Sequence, residues 1–484
     1  MAAPTPASVA SSVLPALDST NAAIDASTGY RQDLKRALSL RHLLVYGMIT
    51  MVPIAPMSVY GFVARQSHGM VPLVYAVGIV AMLFTALSYK HLSGVFPIAG
   101  SVYSYVQRGW HPYLGFLAGW MILADYLLVP ALLYAFSASW LHGLLPDVPA
   151  WVWVLGFVGF NAGVNILGIE LQAKAHFALL ILELIALAIF VVFAIEFVFV
   201  LKQGTGGWSL APFYQAQHVN AGFIATATSI AVLSFLGFDA ISTLSEEVAN
   251  PRKTIGNATV LSLLLLGMIF IAQTYLAALV HPDYASLDPE LGFFQIGREL
   301  GGPWLYSLLL VVNIIAAGIA SALAAQLAIA RILYSMGRDR VLPGADFLSR
   351  VHPRLKTPVN AIALVASSSI VLASSVSEEV ILKLVNFGAL TAFMLLNITV
   401  FVFFYLKQKR YRNVFSYLVF PAVGLLIVAF VWSGFDRTTY LFGGSWLLIG
   451  VILGAFKYRN FNSFEPAGQA TAVQDGNANQ VQRT

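Results

Sequence analysis

Residues 41–64 read RHLLVYGMITMVPIAPMSVYGFVA, an apolar run with Pro53 and Pro56 set in its middle. A hydrocarbon core of about 30 Å takes roughly 20 apolar residues in helical form, so the run is read as a membrane span. Proline lacks an amide proton and its ring clashes with the carbonyl one turn earlier. The span is therefore expected to break near Met51–Pro56. A second interruption, Ser234-Phe235-Leu236-Gly237-Phe238-Asp239, puts a glycine in mid-span and an acid just after it. Either interruption alone reads as a kink, since Pro and Gly are common in membrane helices. As the first and sixth spans, however, they hold corresponding places if the core is two five-helix repeats. Paired interruptions of this kind mark a transport site near the bilayer midplane.

Outward from these two stretches the chain is almost all membrane. Of its 484 residues 58% are hydrophobic and 10% charged, and its mean hydropathy is +0.78; a soluble chain carries roughly 25% charged residues. Further apolar runs lie near Val71–Tyr89, Tyr113–His142, Trp151–Leu167, Ala175–Leu201 and Gly222–Ser245. Six more lie near Ala258–Val280, Pro303–Met336, Pro358–Val376, Val380–Leu406, Tyr417–Trp432 and Tyr440–Phe456. The expected fold is an all-α integral membrane protein of about twelve transmembrane helices, with one membrane domain over residues 39–460. Residues 1–38 and 461–484 are read as disordered tails. Met1–Tyr30 is rich in Ala, Ser, Thr and Pro without an apolar core, which does not suit a secretory signal.

Twelve spans put both termini on one side. Five basic residues, Arg65, Lys202, Arg298, Lys383 and Arg437, fall on the other side, and the remaining 22 of the 27 fall with the termini. Cytoplasmic loops attract Lys and Arg, so both ends are expected in the cytoplasm of a plasma-membrane protein. The same placement accounts for the formal charge of +5 and removes nucleic acid as a partner. With no Cys and no HExxH, and with nine scattered His, no enzyme constellation, metal site or cofactor is expected. A channel or a substrate-sensing receptor stays open as a reading of another class; broken helices with sparse acids suit an occluded site better than a continuous pore.

The motifs carry a family resemblance. Phe96-Pro97-Ile98-Ala99-Gly100-Ser101-Val102-Tyr103-Ser104-Tyr105, then His111-Pro112-Tyr113-Leu114-Gly115, resembles the signature after the second helix of amino acid–polyamine–organocation permeases. Phe235-Leu236-Gly237-Phe238-Asp239 with Glu246-Glu247-Val248-Ala249-Asn250-Pro251-Arg252 resembles the family's sixth helix and following loop. Arg331-Ile332-Leu333-Tyr334-Ser335-Met336-Gly337-Arg338-Asp339 resembles its eighth-helix end. The resemblance implies inverted five-helix repeats with broken helices one and six, and an alternating-access carrier of amino acids or amines. Within the family, Leu123-Ala124-Asp125-Tyr126-Leu127 and Asn386-Phe387-Gly388-Ala389-Leu390 are most similar to the putrescine importers.

Amino acid carriers of the family usually hold the substrate carboxylate on free amides of a glycine-rich break in helix one. Here no glycine lies between Thr50 and Ser58, and Pro53 and Pro56 offer no amide. That departure favours an amine without a carboxylate, with an amino acid as the alternative substrate. Asp125, Glu183 and Asp239 lie inside spans, where an ionisable group is costly and usually faces a cavity. An unpaired carboxyl there either holds a proton or meets a cationic ligand; the plainer alternative is hydrogen bonding to Ser, Thr or Tyr. The expected substrate residues are Thr50 and Pro53 of the first break, Asp125 and Tyr126, and Phe235, Gly237, Phe238 and Asp239 of the second. Asp125 is expected to meet the substrate ammonium. Asp239 meets a second ammonium or senses pH. Glu183, at a place where many family members carry a Lys, is expected to carry the coupling proton. Glu246, Glu247, Arg252, Arg331, Arg338 and Asp339 crowd the inner ends and are expected to form a gate or a loop scaffold.

Overall fold

The computed structural model describes residues 38–457 except 168, 341 and 343, all within one compact unit. Apart from Leu38, the tails expected over 1–38 and 461–484 lie outside the described residues. Among the described residues ten helices are long and apolar enough to cross a membrane, and the bent pair Leu40–Met51 and Ala55–Gln66 makes an eleventh. The remaining expected span is Val359–Ser375, whose 17 residues sit at the short end of what a bilayer accepts. The protein is thus an all-α membrane protein, with every expected span found in its place.

Span one is the bent pair. Span two is Val71–Val95, span three Pro112–Leu144, span four Ala150–Leu167, span five Phe177–Val200 and span six Ala221–Glu247. Span seven is Pro251–Val280, span eight Pro303–Arg338, span nine Val359–Ser375, span ten Val380–Lys407, span eleven Phe415–Trp432 and span twelve Arg437–Phe456. Span seven starts seven residues before the apolar run does, because Pro251 stands at the first helical turn, where a missing amide proton is harmless. Two short helices outside the spans, Ser101–Gly109 and Gly292–Gly301, were not expected. Burial ranks the spans: 78% of span three's apolar stretch is buried, against 22% of span twelve's. Span three therefore runs through the centre, and span twelve faces lipid.

Both interruptions are real breaks. The first helix of span one ends at Met51, since a residue before proline is pushed out of the helical region. Val52 adopts φ +54°, a costly conformation for a β-branched side chain. The second helix restarts at Ala55 with Pro56 in its first turn, and the two halves meet at 41°. The Pro53 carbonyl accepts a hydrogen bond from Gln273 Nε2 of span seven at 2.8 Å. In span six the α-helix stops at Ala231, a 3₁₀ turn covers Val232–Phe235, and a second 3₁₀ helix runs from Asp239 to Glu247. Gly237 between them has φ +108°.

Span eight is irregular as well, with a π turn at Ala316–Ser321. An extra residue in a turn leaves backbone carbonyls without their helical donors. Asn161 Nδ2 of span four donates to the Gly318 carbonyl at 3.0 Å, so the irregularity is braced from outside the helix.

Candidate functional site

The two breaks touch. A Cβ on Gly237 would stand 2.7 Å from the Thr50 carbonyl oxygen, so only glycine permits the approach. The Thr50 hydroxyl lies 2.9 Å from the Gly237 carbonyl and 3.1 Å from those of Tyr46 and Gly47. Beside this contact is a cavity of about 90 Å³ walled by spans one, three, six and eight. A single water needs roughly 10–15 Å³, so the space suits a small solute.

Four of the expected substrate residues, Thr50, Asp125, Tyr126 and Gly237, line this cavity. Asp125 is 3% exposed and receives no hydrogen bond from a described residue. It lies within charge–charge reach of Asp239. Asp239 itself stands behind the wall. The Tyr126 hydroxyl donates to its Oδ2 at 2.6 Å, and the Gly237 amide donates to Oδ1 at 3.3 Å. The plainer alternative, a carboxyl satisfied by a tyrosine and the backbone, is the arrangement at Asp239.

Phe235, Phe238 and Pro53 are also off the wall. The Phe235 ring packs on Tyr75 and Phe270, with centroids 5.8 and 5.3 Å apart, and the Phe238 ring packs on Tyr89 and Phe393 at 5.8 and 5.4 Å. These rings are core, because the break turns Leu236 and Gly237 to the cavity and the flanking rings away from it. Pro53 is buried in the turn between the half-helices, its carbonyl held by Gln273. Several wall residues escaped sequence reasoning, among them Ser58, Trp140, Ser321 and Asn313. Ser58 Oγ donates to Asn313 Oδ1 at 3.1 Å. Of these, Asn313 alone carried a signal, as one of two amides, with Gln326, inside the apolar run of span eight.

Glu183 is elsewhere. It is 1% exposed, and neither carboxyl oxygen has a hydrogen-bond partner. It belongs to the buried stripe Leu180, Glu183, Leu187, Phe190 and Ala194 of span five, the spacing of one helix face. Leu180 of that stripe packs on Ile49, Ala320 and Ala324, beside the first break and the π turn.

The end of the bundle at which span one starts is shut by polar ties. Arg331 and Glu247, both buried, pair at 2.9 Å. Arg338 holds both oxygens of Glu246 at 3.1 and 3.3 Å, and Glu246 Oε1 also accepts the Ala99 amide at 3.1 Å. The Tyr103 hydroxyl donates to Asp339 at 2.8 Å. Leu38 bridges to Val248 in parallel, with its amide 3.0 Å from the Glu247 carbonyl. Span three runs away from this end from Asp125 to Phe136 and Trp140, and both rings stand on the cavity wall. The cavity thus extends from the breaks toward the opposite end.

Comparison with known proteins agrees with this architecture. The amino acid permease family model matches residues 42–455. The low-affinity putrescine importer PlaP of Escherichia coli is 33% identical over 450 residues, covering 90% of this chain and 96% of that protein. The branched-chain amino acid permease BcaP of Lactococcus lactis is 29% identical over 90% of this chain and 96% of its own. Its namesake in Bacillus subtilis is 26% identical over 88% and 94%. From the breaks, the span order and these matches together, the chain belongs to the amino acid permease family of membrane transporters.

Proposed function

We propose that the protein imports a small amine lacking a carboxylate, putrescine first, by proton-coupled alternating access. The observation that carries the proposal is Asp125, a buried carboxyl on the cavity wall with no donor of its own among the described residues. An ammonium supplies what that group lacks, and desolvation inside the cavity strengthens the pair. The prolines of the first break support the same reading, because they remove amides from the place where a substrate carboxylate would sit. So does the similarity to a putrescine importer. Asp239 then acts through Tyr126, whose hydroxyl is fixed by it and whose ring faces the substrate. Glu183, away from the cavity and unpartnered, takes the proton.

The charge asymmetry supports a plasma-membrane protein with cytoplasmic ends, its transport domain spanning residues 39–460 between two tails. The shut end is then the cytoplasmic one, and the cavity faces the side from which an importer loads. An amino acid is the second reading. The cavity wall is largely apolar, with Val129, Leu133, Leu233 and Leu236 on it, and two relatives are named for branched-chain amino acids. Uptake of labelled putrescine into proteoliposomes, challenged with unlabelled putrescine, spermidine, leucine and phenylalanine, separates the readings. Stronger competition by leucine or phenylalanine than by putrescine would overturn the amine proposal. Absence of trans-stimulation would overturn the carrier itself.

A further inference from the structure

A second cavity, of about 290 Å³, lies on the other side of span three. Its walls come from spans three, nine, ten and twelve, and include Leu127, Leu372, Leu384 and Phe442. Ala124 and Leu127 line it, each next in sequence to the Asp125 or Tyr126 that lines the first. One helix thus separates the two spaces. The polar side-chain groups on the wall are the Ser445 hydroxyl, which donates to the Phe442 carbonyl at 2.7 Å, and the Trp446 indole N–H, which donates to the Trp120 carbonyl at 3.0 Å. Both donors are thus taken, and water enters an apolar cavity only where it finds polar partners.

The mouth is formed by Phe442, Ser445 and Ile449, all exposed on span twelve. That face meets the hydrocarbon core and not water. An empty space there would deprive its lining of contact atoms, whereas lipid chains are present at bulk concentration. We infer that the cavity holds one acyl chain of a membrane phospholipid. The position along the span fits. Arg437, exposed, opens span twelve, and an α-helix rises 1.5 Å per residue. Phe442 therefore lies about 8 Å and Ile449 about 18 Å below Arg437. One leaflet of hydrocarbon is about 15 Å deep, half of the core. A phospholipid whose phosphate rests at Arg437 places its chain at the mouth, beside the helix that carries Asp125.

The test uses the full chain in nanodiscs containing a phosphatidylethanolamine with a photoreactive group in mid-chain. Label should concentrate on peptides holding Leu127, Leu384 and Phe442–Ile449, at least about fivefold over the lipid-facing Ile185 and Val192 of span five. Leu372→Trp and Leu384→Phe, which fill the space from two different spans, should each remove most of this excess. Arg437→Gln should weaken it by a few fold. Label spread evenly over spans five and twelve would overturn the inference. So would an excess undiminished in whichever filled variant keeps its melting temperature. Cross-linking of two copies through span twelve would overturn it too, by making the mouth an interface.

Discussion

At the scale of single residues, the site divides its three acids by environment. Asp125 stands on the wall, Asp239 is fixed behind Tyr126, and Glu183 is buried away from both. Neutralising Asp125 to Asn should raise the transport constant by about tenfold or more, since a desolvated ammonium loses its counter-charge. Glu183→Gln should leave equilibrium binding near its starting value and abolish accumulation driven by a pH gradient. Binding and gradient-driven uptake measured on both variants check the assignment; loss of binding in Glu183→Gln with loss of coupling alone in Asp125→Asn would reverse it. Gly237→Ala is expected to be severe despite adding one methyl. Its φ of +108° disfavours any side chain, and the new Cβ would meet the Thr50 carbonyl at 2.7 Å. Strain of this type costs of order 1–3 kcal/mol, so both uptake and melting temperature should fall.

At the scale of elements, the shut end depends on a buried ion pair between the end of span six and the last turns of span eight. Removing one partner of such a pair is destabilising by about 3–5 kcal/mol, because the other charge is left buried and alone. Glu247→Gln should therefore lower the melting temperature and make the terminal end more accessible to thiol labelling at an introduced Cys. Glu247→Arg combined with Arg331→Glu should recover part of the loss; a double exchange no better than the single would remove the pair from the gate. The same end holds Leu38, whose amide meets the Glu247 carbonyl. Leu38, the last residue of the stretch read from its composition as tail, thus bonds to the end of span six.

At the scale of the whole molecule, the distribution of Lys and Arg sets the orientation. A single Cys at Lys407, in a chain that has no other, should react with a membrane-impermeant maleimide only after permeabilisation. Labelling in intact cells would invert the proposed topology. The rank of burial is also a property of the whole. Spans three and eight are mostly inside, whereas spans five and twelve present Val192 and Phe456 to lipid, although span five is more apolar than either buried span and span twelve less.

The sequence by itself determined the number and order of the spans and the location of both breaks. These follow from local rules: apolar length against bilayer thickness, proline without an amide, and glycine in mid-span. It also singled out Asp125, Glu183 and Asp239, because a carboxyl in an apolar run stands out without any structure. Only the tertiary structure decided which side chains face the cavity. Phe235 and Phe238 flank the same break as Leu236 and Gly237, yet their rings pack on spans two, seven and ten. Direction after a break depends on the backbone angles at Gly237 and on the helices packed around it, and neither is written in the spacing of residues. The ties of Tyr126 to Asp239, Asn161 to Gly318 and Gln273 to Pro53 span more than a hundred positions each. A polar group in lipid must find its partner wherever folding brings one near, and for these residues that partner lay on another span.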